Sequence, residues 1–395
     1  TGLRTAPLLF SGQVEETGWR VLILEEIGQS NSMKAAWEEA DEAGRRALLE
    51  DLVDLLAEHH NRGICQQDMH FGNFLITDEA LYTLDGADIR VYRNGIPSTE
   101  ALRNLALLFG QIFPRYDEWA DSLLQRYTRA RNWSEQPDEE RFLRQIREQR
   151  DSRLQEHLGK LYRDCSAFVC RRSRGHLSVL SRRYDIPAME QLLQDPDSSY
   201  THESQLLKKG NTCTVWSARV DNIALAVKRY NVKGFLHGAK LSLSRGRAFA
   251  SWENAHRLRI YGIATPAPVA MVRIQRGRFQ PVAYYISELV DGVYALYWFH
   301  DDSVRWAEKE LMAKKIIGLF DQLDAQRLTH GDMKATNILI VEGEPLLIDL
   351  DAMRQHPNDG DFLRQRRRDR ERFLRNWQDE PKLFEMFGGL MSEYE

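Results

Sequence analysis

Hydrophobic and polar residues alternate along two neighbouring segments in the second half of the chain. The segments NTCTVWSARV (211–220) and NIALAVKRY (222–230) are rich in β-branched residues, and Asp221 and Asn222 lie between their apolar parts. A period of two indicates strands with one buried face, and an Asp-Asn pair is typical of a turn. The pattern therefore predicts a β-hairpin.

Helical and further strand patterns follow this hairpin. In RAFASWENAHRLRIYG (247–262) apolar residues recur at helical spacing, and Gly262 is a stop signal. APVAMVRI (267–274) and PVAYYISELV (281–290) predict two more strands, and VRWAEKELMAKKIIGLFDQLDAQ (304–326) predicts a long helix. A β-rich lobe followed by a helical lobe predicts an α+β fold with a cleft between the lobes.

Polar residues at fixed intervals interrupt the apolar stretch THGDMKATNILIVEGEPLLIDLD (329–351). Phosphoryl transfer from ATP requires a group that aligns the acceptor hydroxyl, cations at the phosphates and oxygen ligands for magnesium. We expect Asp332 to align the hydroxyl and accept its proton, and Lys334 to meet the γ-phosphate. Asn337 and Asp349 are the predicted magnesium ligands. His330 is expected to support the loop by hydrogen bonding, and Asp351 either binds metal or ends a strand.

The nucleotide is expected to contact the β-rich lobe. Lys228, on the strand LAVKRY, can pair with the α- and β-phosphates, and Glu253 on the following helix can hold Lys228 in place. Gly210 and Glu288 are further candidates for nucleotide binding. The alternatives are a solvent-facing strand lysine and an ordinary surface glutamate.

The pattern around the polar loop occurs twice. QQDMHFGNFLITDEALYTLDGAD (66–88) contains Asp68, Asn73 and Asp85 at the intervals found later in the chain, with an offset of 332 − 68 = 264 residues. TGLRTAP and VLILEEIG near the start are similar to YGIATPAP and YYISELVDG in the second half. We therefore predict two tandem copies of one domain, with Asp68 as a catalytic candidate and Asn73 and Asp85 as metal ligands.

The first copy differs from the second in two ways. Gln66 takes the place of the loop histidine, and His70 takes the place of the loop lysine. No equivalent of the lysine strand precedes it, so we expect most of its N-lobe to be absent from this chain. The predicted domains are 1–195 and 196–395, with LLQDPDSSYTHES (192–204) as the joint. The first copy is either a second active enzyme or a regulatory partner.

Composition narrows the possible classes. The chain has 395 residues, 43% hydrophobic content and a formal net charge of −4, which gives no reason to expect nucleic-acid binding. Its four cysteines lack the spacing of a zinc site or a disulfide framework, which favours a reducing, cytoplasmic location. No apolar run approaches the roughly 18 residues of a membrane span.

The chain resembles the protein-kinase-like superfamily. HGDMKATN is similar to its catalytic loop, LAVKRY to its lysine strand and LIDLD to its metal-binding segment, although LKKGNTCTVW lacks a GxGxxG loop. More narrowly, LKKGNTCTVW, AVKRYN, SWENAHRLRIYGIATPAP and RRRDRERFLRNW resemble bacterial lipopolysaccharide core kinases, the heptose and Kdo kinases, over residues 206–377. The resemblance implies ATP and Mg²⁺ as cofactors and an inner-core sugar as substrate. A kinase for another small molecule or for protein, and an idle nucleotide-binding scaffold, remain alternatives.

Two basic stretches admit two interpretations. Residues 170–184 and 364–377 are rich in arginine and occupy comparable positions in the two predicted copies. One interpretation is a solvated helix face. The other is attraction to an anionic membrane surface or glycolipid, with Phe373 and Trp377 as an interfacial anchor and the protein peripheral on the inner face of the bacterial inner membrane.

Overall fold

The computed structural model of the chain divides into two compact units, Thr1–Arg153 and Leu154–Glu395. The structure describes residues 4–78, 80–84, 88–93, 95–201, 204–231, 246–275 and 281–392. The division falls earlier than the predicted boundary after residue 195. The predicted joint over residues 192–204 lies inside the second unit.

The first unit contains short strands and longer helices. Its strands are β1 Leu8–Gln13, β2 Arg20–Leu24, β3 Asn31–Ser32, β4 Ile64–Gln66, β5 Phe74–Ile76, β6 Leu81–Thr83 and β7 Ile89–Val91. Its helices are α1 Met33–Glu39, α2 Glu42–Asn61, α3 Ser98–Phe109 and α4 Ala120–Ala130, and α5 Glu139–Lys160 begins in it.

Helix α2 organises the core of the first unit. Its N-cap Asp41 accepts a hydrogen bond from the backbone of Gly44 at 2.8 Å, which satisfies one of the free donors at the helix start. Leu49, Leu52 and Leu56, at helical spacing, are buried in that core. Strand β5 lies between β3 and β6, and β4 pairs with β7.

The second unit begins with a sheet and ends with helices. Its strands are β8 Phe168–Ser173, β9 His176–Ser181, β10 Leu206–Lys209, β11 Cys213–Val220, β12 Ile223–Tyr230, β13 Pro268–Gln275, β14 Pro281–Glu288, β15 Val293–Tyr294, β16 Leu328–Thr329, β17 Ile338–Val341, β18 Glu344–Leu347 and β19 Arg354–Gln355. Its helices are α6 Pro187–Gln194, α7 Arg247–Tyr261, α8 Ala295–His300, α9 Trp306–Ala325, α10 Asp359–Leu374 and α11 Pro381–Ser392.

These elements confirm the predicted order and the α+β class. The hairpin β11–β12 pairs from Val220 and Ile223 to Cys213 and Tyr230, as the alternating pattern indicated. Helix α7 ends at Gly262, which adopts φ 71° in the left-handed region that glycine tolerates. The catalytic-loop candidate lies between β16 and β17, after the long helix α9.

Within the described residues, seven strands form one antiparallel sheet in the order β10-β11-β12-β14-β13-β9-β8. The hairpin β8–β9 includes most of the basic stretch 170–184, and β9 pairs with β13 through residues such as Val179 and Met271. The interpretation of this stretch as a helix face closing the first copy is therefore wrong. Most of it lies in two strands of the second unit, and Arg182–Tyr184 forms a short 3-10 helix.

Apolar side chains cover both faces of this sheet. On one face, Met189 and Leu193 of α6 pack with Trp216 and Leu225 of the sheet. This packing places Leu193, near the start of the segment predicted as a linker, in the core of the second unit. On the other face, Phe249 and Trp252 of α7 pack with Tyr230 and Met271.

The helical part of the second unit has its own core. Phe373 and Trp377 are 0% exposed there and pack with Phe299 and Phe387. The proposed role of these two aromatic residues as a membrane-interface anchor is therefore wrong, because their side chains do not reach the surface. None of the helices among the described residues has the length and hydropathy of a bilayer span.

Candidate active site

The loop with Asp332 packs against the backbone directly after the LIDLD segment. Gly331 has φ 78°, and a Cβ at this position would lie 2.7 Å from the carbonyl oxygen of Ala352. Only a residue without a Cβ permits this approach at low cost. Spacing and motif did not single out this glycine, although it directly precedes Asp332.

Asp369 of helix α10 holds the same loop. Its carboxylate accepts the backbone N–H groups of His330 at 2.6 Å and Gly331 at 3.0 Å. Burial raises the pKa of Asp369, and the hydrogen bonds from the loop backbone oppose that effect. The ring of His330 donates from Nε2 to the carbonyl of Ile348 at 2.9 Å, which confirms its expected supporting role.

The Asp332 carboxylate lies between two cations. Its Oδ2 is 3.1 Å from Nζ of Lys334, and its Oδ1 pairs with the guanidinium of Arg372 from helix α10. Burial alone would raise the pKa of Asp332, but Lys334 and Arg372 outweigh burial and hold the pKa below its usual value. The carboxylate is therefore ionised and suited to accept a hydrogen bond from a hydroxyl.

Asn337 is positioned by Asp332. Its side-chain Nδ2 donates to the backbone carbonyl of Asp332 at 2.8 Å, and its own backbone carbonyl accepts from the backbone of Ile348 at 3.0 Å. Because the amide nitrogen is used in this contact, Oδ1 is the atom suited to a cation.

Asp349 connects the β-rich lobe to the site through ion pairs with two lysines. Its backbone is left-handed, with φ 64°, and its carboxylate pairs with Lys228 of β12 and, at 3.3 Å, with Lys208 of β10. Burial opposes ionisation, but the two ammonium groups dominate and hold the pKa of Asp349 well below its usual range. Lys208 was not among the predicted site residues.

Lys228 has a second carboxylate partner. Its Nζ lies 2.9 Å from Oδ2 of Asp351, which also pairs with Arg247 at 2.8 Å. Burial lowers the pKa of the Lys228 ammonium, but Tyr230 and the two aspartates more than offset it, so the group stays charged. In the described part of the chain Glu253 is not joined to Lys228, and its carboxylate accepts from the hydroxyl of Tyr162 at 2.8 Å.

The remaining nucleotide candidates lie at the edges of the sheet. Gly210 forms the turn between β10 and β11, where its N–H donates to the carbonyl of Cys213 at 3.0 Å. Glu288 ends strand β14, and its carboxylate accepts from the hydroxyl of Tyr184. Its backbone N–H donates to Ala267 at 2.9 Å.

The donor set fits magnesium better than a transition metal. Among the described residues, no three or more His, Cys, Asp and Glu side chains are grouped so as to hold a metal ion. Asn337 and Asp349 offer hard oxygen atoms, and a magnesium ion in such a site takes its other ligands from phosphates and water.

The first unit repeats several of these contacts. Asn73 donates its side-chain amide to the carbonyl of Asp68 at 3.2 Å, and Gln66 donates to the carbonyl of Leu84 at 3.4 Å. His70 accepts from the backbone of Gly72 at 3.0 Å. The predicted metal ligand Asp85 lies outside the described residues.

The supports of this loop also differ between the units. Asn104 of helix α3 donates to the backbone carbonyl of Gln66 at 2.7 Å and contacts the ring of His60. An amide therefore supports the loop of the first unit, whereas the carboxylate of Asp369 supports the loop of the second.

The model of the family described as Lipopolysaccharide kinase (Kdo/WaaP) matches residues 203–382. One solved structure similar to this chain, "WaaP in complex with acyl carrier protein", has 17% sequence identity and a TM-score of 0.33, and the alignment covers 53% of this chain and 98% of that one. No curated protein matches the sequence. Residues 203–382, fewer than half of the 395 residues of the chain, are therefore similar to the lipopolysaccharide kinase (Kdo/WaaP) family.

Proposed function

We propose that the second unit transfers the γ-phosphate of ATP to a sugar hydroxyl of the lipopolysaccharide inner core, on heptose or Kdo. The observation that carries the proposal is the approach of Lys228 to Asp349, next to the loop that holds Asp332 and Asn337. The groups that we propose for phosphoryl transfer therefore lie on neighbouring segments. The acceptor is taken from the family description.

The side chains divide the reaction between them. Asp332 aligns the acceptor hydroxyl, and Lys334 is close enough to the same carboxylate to contact the transferred phosphoryl group. As the acceptor oxygen bonds to the γ-phosphorus, the bond from that phosphorus to the β,γ-bridging oxygen breaks and ADP leaves with the electron pair. The hydroxyl proton passes to Asp332.

The cofactors are ATP and Mg²⁺. Asn337 and Asp349 would hold the magnesium ion, which supplies positive charge to the phosphates. Lys228 would contact the α- and β-phosphates, and the turn at Gly210 would cover them. We expect the adenine ring next to Glu288, at the end of β14.

The first unit is proposed to be a second kinase-like domain. Its strand group β3-β5-β6 and its pair β4-β7 match the groups β15-β17-β18 and β16-β19 of the second unit. The Asn73 to Asp68 contact corresponds to the Asn337 to Asp332 contact at the same offset of 264 residues. It is either a second kinase or a regulatory domain.

We place the protein in the cytoplasm, with reversible attachment to an anionic inner-leaflet surface as a secondary proposal. The exposed arginines Arg172, Arg174, Arg367 and Arg368 support it. Arg366 and Arg370 do not, because both pair with Asp324 inside the unit. Co-sedimentation with anionic vesicles should weaken as salt increases, and equal binding to neutral vesicles would contradict this mechanism.

Mass spectrometry of the lipopolysaccharide core tests the main proposal. A deletion strain should lack one phosphate, and the wild-type gene should restore it. Asp332→Ala should fail to restore it, because the hydroxyl is no longer aligned, whereas Asp68→Ala should restore much of it if the second unit is the active one. An unchanged core in the deletion strain would refute the lipopolysaccharide acceptor, and loss of a different phosphate with each variant would show two kinases.

A further inference from the structure

We infer that Asp351, rather than the helix residue Glu253, is the carboxylate that positions Lys228 for the phosphates of the nucleotide. This inference rests on the proposed function, because it assigns a partner within the same nucleotide site. It makes Asp351 a positioning residue, which acts through Lys228.

Lys228 is buried between two carboxylates. Its ammonium contacts the side chains of Asp349 and Asp351. Asp349 is the proposed magnesium ligand, so its carboxylate must serve the metal when the nucleotide binds. Asp351 then remains as the fixed anionic partner of Lys228.

Asp351 is itself held in place by a second cation. Its side chain is 6% exposed, and its Oδ2 lies 2.8 Å from the guanidinium of Arg247 as well as 2.9 Å from Lys228. A buried carboxylate requires such compensation. Both cations also lie over the ring of Tyr230, with Lys228 Nζ 4.9 Å and Arg247 Cζ 5.2 Å from its centroid. Contacts on several sides therefore fix Lys228 and Asp351 together.

The rotation of helix α7 turns Glu253 away from Lys228. Asn254 donates its side-chain amide to the carbonyls of Leu350 and Met353 at 2.9 and 3.0 Å, so this side of the helix faces the segment that carries Asp351. Arg247 is seven residues earlier, about two helical turns away, and lies on the same side. Glu253 is rotated by about 100° from Asn254 and reaches Tyr162 instead.

Calorimetry of ATP binding to the full-length chain tests the inference, in EDTA and then in excess Mg²⁺. In excess Mg²⁺, where Asp349 serves the metal, Asp351→Asn should weaken ATP binding by at least ~10-fold, because Lys228 loses its remaining anionic partner. In EDTA the loss should be smaller, because Asp349 can still pair with Lys228. Asp351→Glu should recover part of the loss. Glu253→Gln should stay within about twofold of the wild type, as should the control Asp302→Asn at an exposed carboxylate.

A double variant separates positioning from a general structural effect. If Asp351 acts through Lys228, then Lys228→Met with Asp351→Asn should bind ATP no more weakly than Lys228→Met alone. The inference would be overturned if the two substitutions reduced ATP affinity additively. It would also be overturned if folded Glu253→Gln lost more ATP affinity than Asp351→Asn. Thermal unfolding of every variant identifies those that are folded. If Asp351→Asn does not fold, a folded Glu253→Gln variant that loses ATP binding would still overturn the inference.

ATP binding by the wild-type chain distinguishes a failure of this inference from a failure of the proposed function. A wild-type chain that binds no ATP with or without magnesium refutes the proposed function and the inference with it. Wild-type binding together with an unaffected Asp351→Asn variant refutes the inference alone.

Discussion

Gly331 lies so close to Ala352 that a Cβ on the glycine would be 2.7 Å from the alanine carbonyl oxygen. This approach joins the loop that carries Asp332 to the segment that carries Asp349 and Asp351. The two segments are separated in the sequence, and this backbone approach helps to hold them in register, together with the hydrogen bonds of His330 and Asn337 to Ile348.

We predict that Gly331→Ala strongly reduces both stability and phosphoryl transfer, because the new Cβ would force the two segments apart. Gly343→Ala is a matched control, since Gly343 has the same φ of 78° but no heavy atom within 4 Å of the point where a Cβ would lie. The control should lose only about 1–2 kcal/mol from backbone strain. Urea unfolding measures the change in stability, and the turnover number measures the change in phosphoryl transfer. Equal losses in Gly331→Ala and Gly343→Ala would show that the contact with Ala352 does not matter.

Asp369→Asn should lower turnover and destabilise the second unit. The carboxylate accepts two backbone N–H groups, and an amide places donors where acceptors are required. Leaving such buried donors unsatisfied costs about 1–3 kcal/mol. Urea unfolding should show this loss, while Asp379→Asn, at an exposed position, should leave the unfolding midpoint unchanged.

Trp377→Ala should destabilise the second unit by about 3–5 kcal/mol, because the side chain is 0% exposed and stacks on Phe387. Phe384→Ala, on the neighbouring helix α11 and 43% exposed, should change stability much less. Denaturant unfolding checks both variants. If Trp377→Ala kept its stability and only lost vesicle binding, the surface-anchor interpretation would return.

The first unit should lose stability below about pH 6.5. Burial lowers the pKa of His60 from its ordinary 6.5 to about 4, so the folded unit holds this ring neutral while the unfolded chain takes up a proton. This stability is fully present above pH 6.5 and is lost as the pH falls from 6.5 towards 4, by up to ~1.4 kcal/mol per pH unit.

Burial also lowers the pKa of His59 from 6.5 to about 4, which adds to the loss of stability at low pH. Urea unfolding at pH 7.5 and 5.0 should show a smaller pH-dependent loss in His60→Gln than in the wild type. Identical losses in the two proteins would show that His60 does not contribute.

The sequence predicted the parts of the site that depend on local order. The period-two pattern placed Lys228 on a strand, and the helix stop at Gly262 ended α7 where the structure ends it. The intervals between Asp332, Asn337 and Asp349 reflect a loop and a short hairpin that follow each other directly in the chain. The roles of these residues in catalysis and metal binding remain predictions.

The tertiary structure decided which distant residues meet. Strand β9 pairs with β13 about 90 residues later, so the hairpin 168–181 belongs to the second unit although nothing near it in sequence indicates this. Asp369 and Arg372 were predicted only as parts of a charged helix, yet they contact the loop some 40 residues earlier.

The carboxylate that contacts Lys228 shows why the sequence pattern alone could not identify such partners. A helical pattern defines which residues share a face, but a rotation of about 100° exchanges Glu253 for Asn254 at the site, and only packing against the rest of the unit fixes that rotation. Sequence periodicity determined that α7 exists and which face is apolar. Its docking through Asn254 and Arg247 determined that Asp351 contacts Lys228.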